Sequence, residues 1–173
     1  MDIYIDVKIV ERESLRVLST RGMAATERFE DRYVQLYRKA FQKRLKVEGA
    51  PVAIFHNEHF DGQLPDMEAA LPVTGADEDI REIPGGTFAV TAHQGPHGTL
   101  PVTMALMGAW LEKNGHSVCG APWCVYVRGG NDKIIQADQY ITEIYFPIAK
   151  EEALLEFDFG ENFGKSAADL IGE

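Results

Sequence analysis

The chain is written twice, and that fact limits its fold more than any other feature. "EGAPVAIFHN" (Glu48 to Asn57) is repeated as "CGAPWCVYVR" (Cys119 to Arg128), with Gly49-Ala50-Pro51 matching Gly120-Ala121-Pro122. "DMEAALPV" (Asp66 to Val73) is repeated as "ITEIYFPI" (Ile141 to Ile148), with Glu68 matching Glu143 and Pro72 matching Pro147. Upstream, the stretch ending at Gly22 matches the stretch ending at Gly95. Three matches in one order at nearly equal offsets exceed the period of a solenoid unit and indicate a duplicated half-domain.

Both copies share a grammar. Alternating strands are expected over Leu15 to Arg21 and Thr87 to Gln94, each closing on a glycine turn. Helices follow, from about Thr26 to Val47 and from Leu100 to Lys113; Pro101 suits a first turn and Asn114-Gly115 an end. Strands are expected again over Val52 to His56 and Trp123 to Arg128, and a hairpin leads to each glutamate-bearing strand. Further strands precede the halves, over Ile3 to Val10 and near Ile80 to Ile83. The fold class expected is α+β: a tandem strand-helix-strand-strand repeat forming an antiparallel sheet of about eight strands, with two main helices and a central groove. One domain spans 1–150, with half-repeats of about 1–75 and 80–150, and 151–173 is a C-terminal extension. The second helix is apolar nearly all round, which predicts burial on more than one side.

At 173 residues and 45% hydrophobic, the chain suits one domain with a real core. Seventeen basic against 27 acidic residues give a formal charge of −10, which argues against a nucleic-acid surface and favours cationic ligands. No leader-like pattern opens the chain and no stretch approaches a membrane span, so a cytoplasmic protein with reduced Cys119 and Cys124 is expected. The basic run Arg38, Lys39, Lys43, Arg44 and Lys46 reads as a solvated helix face. His56 and His59, like His93 and His97, lack zinc-motif spacing; no metal and no cofactor are expected.

Glu143 stands out because it interrupts an apolar strand, where an ionised carboxylate is costly unless paired. Strand alternation puts it on one face with Ile141 and Tyr145, and puts Thr142, Ile144 and Phe146 on the other. Its partner is either an internal arginine or lysine, such as Arg81 or Arg128, or a visiting cation. Trp110, Trp123, Tyr126, Tyr145 and Phe55 are aromatic candidates for lining such a site, with Glu68 as the repeat counterpart and His97 at the helix entry.

The segments "EIPGGTFAVTAHQGP", "AWLEKNGHSVCGAPWCVYV" and "TEIYFPI" resemble the GyrI-like domain, which also serves as an effector-binding module of AraC-type and MerR-type regulators. The resemblance covers about residues 1–150. It implies two strand-helix-strand-strand units about a pseudo-twofold axis and a groove that takes hydrophobic, often cationic, small molecules. It also implies that Glu143 acts as counter-charge, with Tyr145, Tyr126 and Trp110 around the ligand. No helix-turn-helix precedes the domain, so a stand-alone module without direct nucleic-acid contact is expected. Two other readings stay open. In one, the chain hydrolyses strained or electrophilic small molecules with Glu143 as general base. In the other, it inhibits a topoisomerase or toxin as an interaction protein. The acidic, aromatic tail either covers the groove or joins two chains as a homodimer.

Overall fold

The computed structural model describes residues 5–23, 29–56, 66–129 and 135–150. The tail at 151–173, the expected helix start at Thr26, His59 and most of the first hairpin loop lie outside these residues. Among the described residues, nine strands and two helices run in the order β1 (Lys8–Arg12), β2 (Leu15–Met23), α1 (Phe29–Gln42), β3 (Lys46–Val47), β4 (Val52–Phe55), β5 (Asp66–Thr74), β6 (Arg81–Ile83), β7 (Gly86–Gln94), α2 (Leu100–Lys113), β8 (Trp123–Arg128) and β9 (Ile141–Pro147). A 3₁₀ turn at His97–Thr99 leads into α2. The α+β class and the tandem repeat are therefore as expected.

The sheet is antiparallel and curled into a half-barrel, in the order β1-β7-β9-β8-β4-β5-β2-β6, with the two-residue β3 paired to β5. Its centre lies between β8 and β4, where the two copies meet. Outward from that centre each copy supplies the same three strands. The outermost strands are exchanged: β1 pairs with β7 of the second copy, and β6 pairs with β2 of the first.

Most elements follow their local sequence. In α1, Tyr33, Leu36 and Ala40 fall on one buried stripe, and Glu30 and Asp31 in the first turn with Lys39 in the last complement the helix dipole. The expected extension of α1 to Val47 is not found. Arg44 takes a left-handed conformation (φ 57°), and the Leu45 amide turns back to the Ala40 carbonyl at 2.9 Å. Such a turn closes a helix by satisfying its last carbonyls. It also frees Lys46 and Val47 to pair with Thr74 and Val73.

Helix α2 starts and ends where the sequence indicates, with Pro101 in its first turn. It is not covered on all sides. Leu100, Met104, Met107 and Leu111 are buried, whereas Val102 and Leu106 are exposed. The helix carries more apolar surface than the described residues cover.

The core separates by sheet face. Leu18, Leu36, Ala53, Leu71, Met104 and Ile144 belong to the cluster under the helices. Val17, Val52, Ala70, Phe88, Trp123 and Tyr145 form a second cluster on the opposite face. Strand β5 is buried from Met67 to Val73, as a strand covered on both faces must be. Both cysteines are free; burial pushes the Cys124 thiol up to about 12.

Candidate functional site

Pairing register decides which side chains meet. In an antiparallel ladder, residues opposite one another project to the same face. Glu143 is opposite Ala92 on β7 and Val125 on β8, and Tyr145 is opposite Val90 and Trp123. All of these lie on the face away from the helices.

The Trp123 and Tyr145 rings stack with centroids 4.2 Å apart and planes 5° from parallel. Phe88 meets both edge-on, at 5.5 Å from Trp123 and 5.9 Å from Tyr145. Such offset and edge arrangements are those the ring quadrupoles favour, at about 0.5–1.5 kcal/mol per pair beyond burial. The trio is a rigid aromatic platform, with Trp123 and Tyr145 at least nine-tenths buried.

Glu143 stands at the edge of that platform, half-buried. Its Oε1 accepts the Tyr145 hydroxyl proton at 3.1 Å. Among the described residues no lysine, arginine or histidine nitrogen comes within ion-pair distance of it; Arg128, opposite Ile141 on the same face, does not pair with it either. The Tyr145 hydroxyl also accepts a hydrogen bond from Arg12 Nη1, and the guanidinium carbon lies 5.0 Å from the ring centre. Burial, then the negative charge of Glu143, raises the Tyr145 phenol above its usual range against an opposing pull from Arg12. The phenol thus stays neutral and donates to the carboxylate.

Glu68 shares the same face, opposite Ile54 and Arg21. It is only 3% exposed. Arg81 grips it with two parallel bonds, Nη2 to Oε1 at 2.5 Å and Nε to Oε2 at 2.6 Å, a geometry that matches guanidinium to carboxylate. His56 Nε2 adds a third contact at 2.9 Å. Burial alone would raise this carboxyl, but hydrogen bonds from Arg81, Ser19 and His56 outweigh it and hold the group at about 2. Arg81, which the sequence offers as an internal partner for Glu143, is the partner of Glu68.

The remaining candidates lie on the helix side. Tyr126 is opposite Thr142, so alternation turns it away from Glu143; it meets the edge of Tyr33 at 6.3 Å, and burial raises its phenol strongly. Phe55 follows Ile54 and faces the helices with Met67. His97 sits between Tyr126 and Tyr140, at centroid distances of 4.9 and 5.1 Å, and burial lowers its imidazole below the usual value. Trp110 stacks on His116 at 5.6 Å and packs beside Met107 and Leu111. The structure thus brings Glu143, Tyr145 and Trp123 together on one face with Glu68, and sets Tyr126, Phe55, His97 and Trp110 behind the sheet.

Sequence reasoning missed Phe88 and Arg12. Phe88 carries a usable signal, since it alternates with Val90 and Ala92 in an expected strand. Arg12 carries none, because its contact with Tyr145 spans 133 residues.

Among the described residues no group of three His, Cys, Asp or Glu side chains could hold a metal ion, and no helix is long and apolar enough to cross a membrane.

Residues 5–149 match the family described as GyrI-like small molecule binding domain. None of the curated proteins compared with the chain matches it. Among solved structures, the EcmrR C-terminal domain superposes with a TM-score of 0.71 at 21% identity, over 84% of this chain and 98% of that one. A hydrolase from Listeria innocua superposes at 0.65 and 11% identity, over 83% and 91%. SAV2435 bound to tetraphenylphosphonium superposes at 0.57 and 15% identity, over 86% and 97%. At these identities the likeness is one of fold.

Proposed function

Because the chain belongs to the GyrI-like small molecule binding domain family, we propose that it takes up a hydrophobic, cationic small molecule against the Glu143 face. The observation that carries this reading is a half-buried carboxylate on an aromatic platform without an internal cation in ion-pair distance. Glu143 Oε1 is met by a neutral hydroxyl, and Oε2 has no partner among the described residues. An organic cation would supply the missing charge beside Glu143, at the rim of the buried Trp123, Tyr145 and Phe88 cluster. Pairing with a half-buried carboxylate strengthens as the ligand displaces water from around it. That the similarly folded SAV2435 is bound to tetraphenylphosphonium, a lipophilic cation, agrees with this choice of ligand.

The test is a fluorescence titration of the purified protein with a cationic aromatic dye, the ethyl ester of rhodamine B. Hydrogen bonds and charge pairs to an ionised group contribute about 1.5–3 kcal/mol, so Glu143→Gln is expected to weaken binding by roughly 10- to 100-fold. Equal affinity in the variant removes the charge role and with it the proposal.

A further inference from the structure

Resting on the reading above, we propose that the site is bipolar: Arg12 completes it as an anion receptor, so that its preferred ligand is an aromatic zwitterion rather than a simple cation. The argument begins with proton direction. Arginine only donates, so the bond from Arg12 Nη1 occupies a lone pair of the Tyr145 oxygen. The Tyr145 proton then goes to Glu143 Oε1. One hydroxyl thus joins a fixed guanidinium to a fixed carboxylate without letting them meet, and no direct Arg12–Glu143 ion pair forms among the described residues.

Each charged group keeps unused capacity on the same face of the sheet. Glu143 retains Oε2. Arg12 retains Nη2 and Nε, which have no partner among the described residues. Arg12 is opposite Gly86, in line with Phe88 and Val90, so it stands on the platform side of β1. Its guanidinium is held over Tyr145 by both the hydroxyl and the ring, which orders it before any ligand arrives. A preordered fork with two free N–H donors suits a carboxylate. A ligand with a flat aromatic body, a positive group toward Glu143 and a carboxylate toward Arg12 would satisfy both ends. A ligand with only the positive group would leave Arg12 as a nearby like charge, which lowers affinity.

Two dyes sharing one xanthylium body separate the possibilities. Rhodamine B carries a free carboxylate and is zwitterionic at neutral pH; its ethyl ester keeps only the cation. Both are titrated against the wild-type chain and the Arg12→Gln, Arg12→Lys and Glu143→Gln variants. The wild type is expected to bind the free acid at least about 5-fold more tightly than the ester. Arg12→Gln should reduce that preference by about tenfold, by weakening the acid and strengthening the ester, while Arg12→Lys should keep most of it. Glu143→Gln should weaken both dyes. A wild-type preference for the ester, or a preference unchanged in Arg12→Gln, overturns the bipolar site and leaves the cation reading in place. An ester affinity unchanged in Glu143→Gln overturns the cation reading, whatever the ratio shows. Binding of neither dye overturns both.

Discussion

The two copies hold a glutamate at the same place and surround it in opposite ways. Glu68 is opposite Ile54 as Glu143 is opposite Val125, and Pro72 is opposite Val17 as Pro147 is opposite Phe88. Ladder register therefore makes Val17, Val52 and Ala70 the counterparts of Phe88, Trp123 and Tyr145. Around Glu68 these positions are small, and the space admits the Arg81 side chain. Around Glu143 they are large and aromatic. Ser19 and Arg21 correspond to Val90 and Ala92, so the polar neighbours of the first carboxylate become aliphatic beside the second. The exchanged edge strands finish the contrast. Each brings an arginine to the other copy, but the position of Arg12 on β1 corresponds to Ile83 on β6, two residues from Arg81. Two residues of strand keep the face and move the guanidinium about 7 Å. That displacement separates gripping a carboxylate from resting on a tyrosine.

If this contrast is right, the two glutamates differ most in stability. Arg81→Met leaves a buried carboxylate without its cation. Removing one partner of a buried pair costs about 3–5 kcal/mol. The Arg81 side chain is 41% exposed, so the low end, near 3 kcal/mol, is expected in urea unfolding at pH 7. Glu143→Gln should move the same transition by less than about 0.5 kcal/mol, as substitutions away from buried networks do. Comparable losses in the two variants would erase the distinction between a structural and a free carboxylate.

Acid sharpens the same point with a slightly smaller effect. Glu68 titrates at about 2 in the folded chain against an ordinary 4.5. A carboxyl lowered by folding stabilises fully above its unfolded value, and that contribution is lost as pH falls through the folded one. The expected loss is about 2–3 kcal/mol between roughly pH 5 and 2, after allowance for screening at Arg81. Asp66, Asp77 and Asp79 are also lowered by their partners, so the informative quantity is the difference between wild type and Arg81→Met. That difference in urea midpoint should shrink as pH falls through this window. A constant difference would mean that Arg81 stabilises by packing rather than by pairing with Glu68.

Much of this contrast is legible in the amino-acid sequence. The Gly-Ala-Pro bends and the glutamate four residues before a proline reveal the duplication, and alternation in β9 puts Glu143 with Tyr145. The third upstream match, however, is displaced. Matching Gly22 to Gly95 differs by two residues from the ladder register, in which β2 and β7, nine residues each, begin at Leu15 and Gly86. Hydrophobic alternation survives a shift of two, so it cannot detect one. Tyr126 and Phe55 are aromatic residues in site-bearing strands, but their faces follow only from register with β9 and β5. Arg81 is recognisable as a cation in need of a carboxylate, but the exchange of β1 and β6 determines which glutamate it finds. Local pattern does not encode exchanged partners, because the pairing joins residues far apart in the chain.

The comparison needs a common frame, and the smallest expected effect tests it. The Glu48 amide binds the Pro72 carbonyl at 2.9 Å, and the Cys119 amide binds the Pro147 carbonyl at the same distance. A Cβ added at Gly49 would stand 3.3 Å from Pro72 Cγ, and one at Gly120 would stand 3.3 Å from Pro147 Cγ. Crowding a packed contact typically costs about 1–3 kcal/mol, and the entropy that alanine removes from the unfolded chain returns about 0.4–1 kcal/mol. Gly49→Ala and Gly120→Ala should therefore each destabilise by about 1 kcal/mol, and by the same amount within about 0.5 kcal/mol. Equal midpoints in urea would show that the bends and prolines fixing the two glutamates are energetically interchangeable, leaving neighbouring side chains to account for their different roles. Unequal midpoints would place part of the difference in the backbone, and the side-chain explanation of why one glutamate is clasped and the other is open would no longer suffice.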